Sequence, residues 1–180
     1  VNIFYLSEDP NAAAIMHCDK HVCKMIIEYA QMLSTAHRVL DGTEYTELSK
    51  AGRKVKRWRH PNSDFDEKLM KATHVNHKSN VWVRKNKSTY RWTYNLFKAL
   101  LWEYFYRYSK VHACNRLTPQ LSLYPKSMSA GDFCPPPPAM PEIFVQESIV
   151  LSYREFYKKE KKSFARWHRD ETKGPPWFYS

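Results

Sequence analysis

Apolar residues along this 180-residue chain recur mainly at intervals of three and four. Ile15, Val22, Met25, Ile26, Tyr29, Leu33 and Ala36 share one face of a helix, the periodicity of 3.6 residues per turn. Asp9-Pro10 supplies an N-cap and first helical position, and Asp41-Gly42 a stop, so the pattern predicts a helix from about Pro10 to Leu40. Roughly 30 residues is long for a small domain, which places a kink around residues 16 to 20. Phe97, Leu100, Leu101, Tyr104, Phe105 and Tyr108 predict a second helix over 88–110. A third is predicted from Ser148 to about Arg169. Tyr153, Phe156, Tyr157, Phe164 and Trp167 are on its apolar side, and Arg154, Lys158, Lys161, Lys162, Arg166 and Arg169 on a basic one.

The segments between these are less patterned. NIFYL at 2–6 reads as extended, and a short helix is expected over 64–72. Residues 43–63 read as a basic loop and 115–147 as a proline-rich one, with CPPPPAMP at 134–141 favouring a semi-rigid extended run. That run is a weaker candidate as a ligand for a proline-reading domain. No internal repeat and no series of alternating strands is evident. The expected architecture is all-α, a single compact domain over 1–180 of three main helices with long loops and an extended N-terminal segment.

Charge narrows the class of partner. The formal net charge is +11, and six of the eleven residues in KAGRKVKRWRH, 50–60, are Lys or Arg. Twelve Tyr, nine Phe and six Trp accompany them. Cations interleaved with aromatic rings suit phosphate contact and base stacking, so nucleic acid is the expected partner. No apolar run reaches the 18 or so residues of a membrane span, and VNIFYLSEDPN lacks the features of a secretory signal. The expected protein is a soluble intracellular monomer, cytoplasmic or nucleoid-associated, a virus-encoded one included. Four cysteines without a C-x-x-C pair are expected to be reduced.

Candidate chemistry concentrates in HCDKHVCKMIIE, 17–28. His17, His21, Lys24 and Glu28 recur at i, i+4, i+7 and i+11 and so drift slowly along one helical stripe. His17 and His21 have a spacing that can hold a metal, with His74 and His77 as a second pair, but Lys24 one turn on opposes a divalent cation. His21 and Glu28, about 10 Å apart along the axis, could instead flank one nucleotide sugar. The competing reading is a solvated stripe with Lys24 paired to Glu28.

These residues resemble the pyrimidine-dimer DNA glycosylase (endonuclease V) family. Its D-Q-H segment, followed seven residues after the histidine by the catalytic glutamate, is matched by Asp19, His21 and Glu28, with Lys20 in place of glutamine. Thr73-His74-Val75 is similar to the family's Gly-His-Val, Arg154 and Lys158 to an R-x3-K phosphate-contacting pair, and Trp167 to a C-terminal aromatic cluster. The resemblance implies a DNA N-glycosylase with abasic-site lyase activity on double-stranded DNA, without metal or organic cofactor. Its nucleophile would be the α-amine of Val1, with Glu28 and His21 as catalytic partners. An α-amine ordinarily titrates near about 8, against about 10.4 for lysine, so a useful fraction is unprotonated at neutral pH. Expected DNA contacts are His17, Lys20, Lys24, Arg53, Lys54, Lys56, Arg57, Arg59, His74, Arg154, Lys158 and Trp167. Three family arginines are Asn2, Ile27 and Gln31 here, which leaves the lesion open. An enzyme acting on a different modified base, a non-catalytic DNA-binding protein of the same fold and, more weakly, an RNA-binding protein remain as alternatives.

Overall fold

A computed structural model describes residues 1–169 and 173–180. Among them the predicted long N-terminal helix is two helices, α1 (Pro10–Met16) and α2 (Asp19–Asp41). The Asp9 carboxylate accepts from the Asn11 and Ala12 N–H groups and starts α1. His17 and Cys18 are extended and break the run. Arg107, whose side chain is buried, fills the break: its guanidinium donates to the carbonyls of Ile15 (3.0 Å) and His17 (2.8 Å) and to Asp19 Oδ1 (3.2 Å). Carbonyls freed at the end of α1 are thereby satisfied.

The all-α expectation is overturned. About 53% of the described residues are helical, but residues 43–59 are not a loop. They form an antiparallel hairpin of β1 (Thr43–Leu48) and β2 (Lys54–Arg59), with Thr43 opposite Arg59 and Leu48 opposite Lys54. Diagonal cross-strand ion pairs join Glu44 to Lys56 at 3.0 Å and Glu47 to Arg57 at 2.8 Å. Gly42 joins α2 to β1 where a Cβ would be 2.3 Å from the Arg38 carbonyl oxygen, so only glycine fits. The buried Arg38 side chain ties the hairpin down. It donates to the carbonyls of Trp58, Asp66, Leu69 and Met70 and to Asp66 Oδ1.

Nor are there only three main helices. α3 (Ser63–Lys68) and α4 (Lys78–Val83) precede α5 (Lys87–Tyr108), which Asn86 starts by accepting from the Ser88 and Thr89 N–H groups. α6 (Thr118–Leu121) and two 3₁₀ turns interrupt the proline-rich stretch. α7 (Ile149–Lys161) ends eight residues before the predicted Arg169, and α8 (Pro176–Tyr179) closes the chain. Phe164 and Trp167 therefore lie beyond α7. Among the described residues no helix is long and apolar enough to cross a membrane.

The core forms where α2 and α5 pack, with α1 against α5 and α4 against α2. Through it runs the N-terminal segment, whose Ile3, Phe4, Tyr5 and Leu6 are buried. The proline-rich run is pinned over that segment. The Ala139 carbonyl accepts from Asn2 Nδ2 (2.9 Å), and the Ala139 N–H donates to the Tyr153 hydroxyl (3.1 Å). Trp82 Nε1 donates to the Cys134 carbonyl (2.9 Å). All four cysteines are unpaired thiols.

Candidate active site

A relay of hydrogen bonds sets the position of the first residue. The Phe4 N–H donates to the Tyr29 hydroxyl (3.1 Å). Tyr29 in turn meets His17 Nε2 (3.2 Å), and His17 Nδ1 lies 2.7 Å from the Ala13 carbonyl. A carbonyl only accepts, so His17 carries its proton on Nδ1 and Tyr29 donates to Nε2. Every polar group in the relay is satisfied with both rings neutral. Burial lowers the His17 pKa to about 4, against a smaller opposing effect of the Ala13 carbonyl, and raises that of the Tyr29 hydroxyl.

At the end of this segment the Val1 amine lies 3.8 Å from Glu28 Oε2, while Lys24 Nζ lies 3.5 Å from Oε1. One carboxylate thus faces two cations. Its side chain is 16% exposed and Lys24's is 60%, so the site opens to solvent on the lysine side. His77, the N-cap of α4, borders the same site. Its pKa is lowered by burial first, then by the positive Val1 amine, His74 and Lys78, with Glu28 opposing. Its Nδ1 accepts from the Ser79 N–H (3.2 Å), which leaves the Nε2 proton of a neutral ring available as a donor. His74 is exposed, with a left-handed backbone (φ 48°) that Asn80 holds by donating to the Thr73 and His74 carbonyls. Lys78 donates to the Pro138 carbonyl of the proline-rich run.

His21 lies two turns before Glu28. It stacks on Phe4 (centroids 4.7 Å apart), and its Nδ1 is 2.8 Å from the Tyr157 hydroxyl. Burial is the main cause that pushes its pKa down to about 3, reinforced by His17, Lys161, Lys24 and Lys20. Lys20 sits over the Phe164 ring and Lys161 over Phe4 and Phe156. Lys20, Lys24 and Lys161 around His21, and Lys78 beside His77, give this side of the molecule a positive field, suited to a phosphate chain.

Several predicted residues lie elsewhere. His17 is 0% exposed and cannot touch DNA; the break between α1 and α2 turns it off the stripe and into the relay. Trp167 is also buried, edge-on to Phe178, where a Cβ on Gly174 would come within 2.8 Å of its ring. It is a packing residue and not a DNA contact. Arg154 donates from Nε to the Leu6 carbonyl (2.8 Å) and lies over the Trp177 ring, and Lys158 donates to the Ser180 carbonyl. Arg53, Lys54, Lys56, Arg57 and Arg59 are on or beside the hairpin, whose root at Asp41 is about 20 Å along α2 from Glu28. His77 was legible in the sequence only as half of a metal-ligand pair. Its place beside Val1 depends on how α4 packs on α2.

Compared with known protein families, with functionally characterised proteins and with solved structures, the chain matches none.

Proposed function

We propose that this protein is a DNA N-glycosylase with abasic-site lyase activity on a damaged pyrimidine, a reading that requires the Val1 α-amine to be free. One observation carries the reading: the α-amine lies 3.8 Å from the Glu28 carboxylate. Amine nucleophiles need a neighbouring base to take their proton and an anion to stabilise the iminium that follows. Glu28 can serve as both.

In this reading the basic surface grips the phosphates of duplex DNA and the damaged nucleotide is extruded toward Glu28. The unprotonated amine attacks C1′, the N-glycosidic bond breaks, and the base leaves with the bonding pair. Glu28 takes the proton released by the amine and delivers it to O4′ as the sugar ring opens, which leaves an iminium between Val1 and C1′. Glu28, again a carboxylate, takes a C2′ proton, and the 3′ phosphate leaves with its bonding pair by β-elimination. Water hydrolyses the imine and returns the amine. Neutral His77, whose Nδ1 accepts from the Ser79 N–H and whose Nε2 keeps its proton, holds a sugar or phosphate oxygen in this reading. His21 supports Phe4, and through it the position of Val1.

A second reading, an enzyme acting on a different modified base, is favoured by the residues around Glu28. Asn2 holds the proline-rich run instead of offering a cation, and Ile27, immediately before Glu28, presents a 41% exposed apolar side chain. A panel of duplexes carrying single lesions separates the two by which base is released.

The substitution Glu28→Gln tests the mechanism. It keeps the shape and the hydrogen-bonding capacity while removing proton transfer and charge. The expected result is strand cleavage reduced by about a thousandfold or more with duplex binding within a few-fold of wild type. Equal loss of binding and cleavage would make Glu28 a structural ion pair only.

A further inference from the structure

At the other end of α2, three donor groups converge where the hairpin leaves the helical body. His37 and Asp41 are one helical turn apart in the last turns of α2, and His60 follows β2 directly. One ligand atom from each lies within 4.8 Å of the other two, with His60 Nε2 and Asp41 Oδ2 3.8 Å apart. This is the one group of its kind among the described residues. His37 is 1% and His60 6% exposed, and both His37 Nδ1 and His60 Nε2 are buried without a hydrogen-bond partner. Two such orphaned nitrogens in one cluster are costly unless something occupies the space between them.

The surrounding bonds decide what that is. His37 Nε2 lies 3.1 Å from the Leu123 carbonyl and 2.9 Å from the Tyr90 hydroxyl, whose own proton goes to the Leu121 carbonyl at 2.8 Å. Both neighbours of Nε2 therefore accept, so it carries the ring proton and His37 Nδ1 presents a lone pair to the cluster. The Asp41 carboxylate is oriented by the N–H groups of Lys126 (2.7 Å) and Ser127 (2.9 Å) and by the Ser127 hydroxyl (2.9 Å). A histidine fixed by a backbone carbonyl and a carboxylate fixed by backbone N–H groups are what a metal's outer shell consists of.

We propose that His37 Nδ1, Asp41 Oδ2 and His60 Nε2 bind a divalent transition-metal ion of the zinc class. Two imidazoles and one carboxylate favour such an ion over Mg²⁺ or Ca²⁺, which prefer oxygen donors throughout. Tetrahedral ligand atoms about 2.0–2.1 Å from zinc stand about 3.3 Å from one another, so each donor moves inward by less than about 1 Å. His60 Nδ1 now accepts from the Asn62 N–H at 3.1 Å. Binding shifts the His60 ring proton from Nε2 to Nδ1, with no net proton released, and that one bond at the exposed turn before α3 gives way. The ion staples the hairpin at its root, since Asp41 lies just before β1 and His60 just after β2. It fixes the direction in which the basic arm projects from the helices.

The test titrates the full chain, first stripped with a chelator, with Zn²⁺ in competition with a chromophoric chelator. One ion per chain is expected, with a sub-micromolar dissociation constant and a melting temperature raised by several degrees. His60→Gln and Asp41→Asn should each weaken binding by about a hundredfold and abolish the thermal shift. Far-UV circular dichroism of each metal-free variant checks its fold, and Asp41→Asn suffices if His60→Gln does not fold. Co²⁺ in place of zinc should give visible ligand-field bands without near-ultraviolet thiolate charge transfer. No binding, undiminished binding in the folded variants, or a thiolate band marking cysteine ligands would each overturn the proposal.

Discussion

Glu28 and His21 sit on one stripe of α2, but the surroundings of each give them different work. Glu28 keeps partial solvent access and two cationic neighbours. His21 is buried against Phe4 and Tyr157 and held neutral at any ordinary pH. Spacing in DKHVCKMIIE made both legible as a pair. It could not show which would be buried, because Phe4 and Tyr157 approach His21 from outside the helix, Tyr157 from 136 residues along the chain. The two buried histidines of the relay region also make a pH prediction. His17, with Arg107 nearby, and His21, ringed by Lys20, Lys24 and Lys161, have folded pKa values near about 4 and about 3. Unfolded, each titrates near about 6.5, so below that pH the unfolded chain binds more protons than the folded one. The contribution of these two histidines is therefore fully present above about pH 7, falls as pH drops below about 6.5, and is spent by pH 4 and 3; the buried His37, also lowered to about 4, acts in the same direction. Urea unfolding should show the protein less stable at pH 5 than at pH 7 by on the order of 2–4 kcal/mol. Equal stability at the two values would contradict the buried, neutral assignment.

At the level of elements, helices whose apolar faces meet other helices were readable and the rest were not. The period through Phe97, Leu100, Leu101 and Tyr104 predicts 88–110, and α5 spans Lys87–Tyr108. The hairpin is hard to read from sequence because neither strand has a buried face: TEYTEL is exposed at all but one position, and the alternation of exposed and half-buried residues in KVKRWR runs only from Lys54 to Arg57. Its signals were weaker ones: β-branched and aromatic residues among charges, and Gly52 with φ 72° in the turn. The end of α7 was misread for a different reason. Phe164 and Trp167 continue near helical spacing, but Trp167 is apolar because it packs against Phe178. The break between α1 and α2 matters most for the site, since it sends His17 inward to Tyr29. Tyr29→Phe removes the hydroxyl that joins His17 to the Phe4 N–H. The expected outcome is a loss of about 1–3 kcal/mol of stability and a fall in cleavage larger than the fall in DNA binding. Thermal unfolding and paired binding and nicking assays measure both. Unchanged cleavage would show that the relay does not position Val1.

Over the whole molecule, part of the positive charge and the buried N-terminal segment meet around Glu28, in the first half of α2. The net charge of +11 pointed to a polyanionic partner, and the positive side chains around Glu28 give that charge a local surface. The N-terminal segment is threaded through the core and held by Tyr29, Asn2 and Arg154, so the amine at its tip is fixed against the folded body. Preorganisation of this kind lowers the entropic cost of bringing a nucleophile to a sugar. The most direct measurement is borohydride reduction during incubation with a duplex containing an abasic site, followed by peptide mapping of the adduct. One covalent protein–DNA species is expected, with the mass addition on the α-nitrogen of Val1. No adduct with an unblocked Val1 amine, or an adduct carried by a lysine such as Lys24, would contradict it.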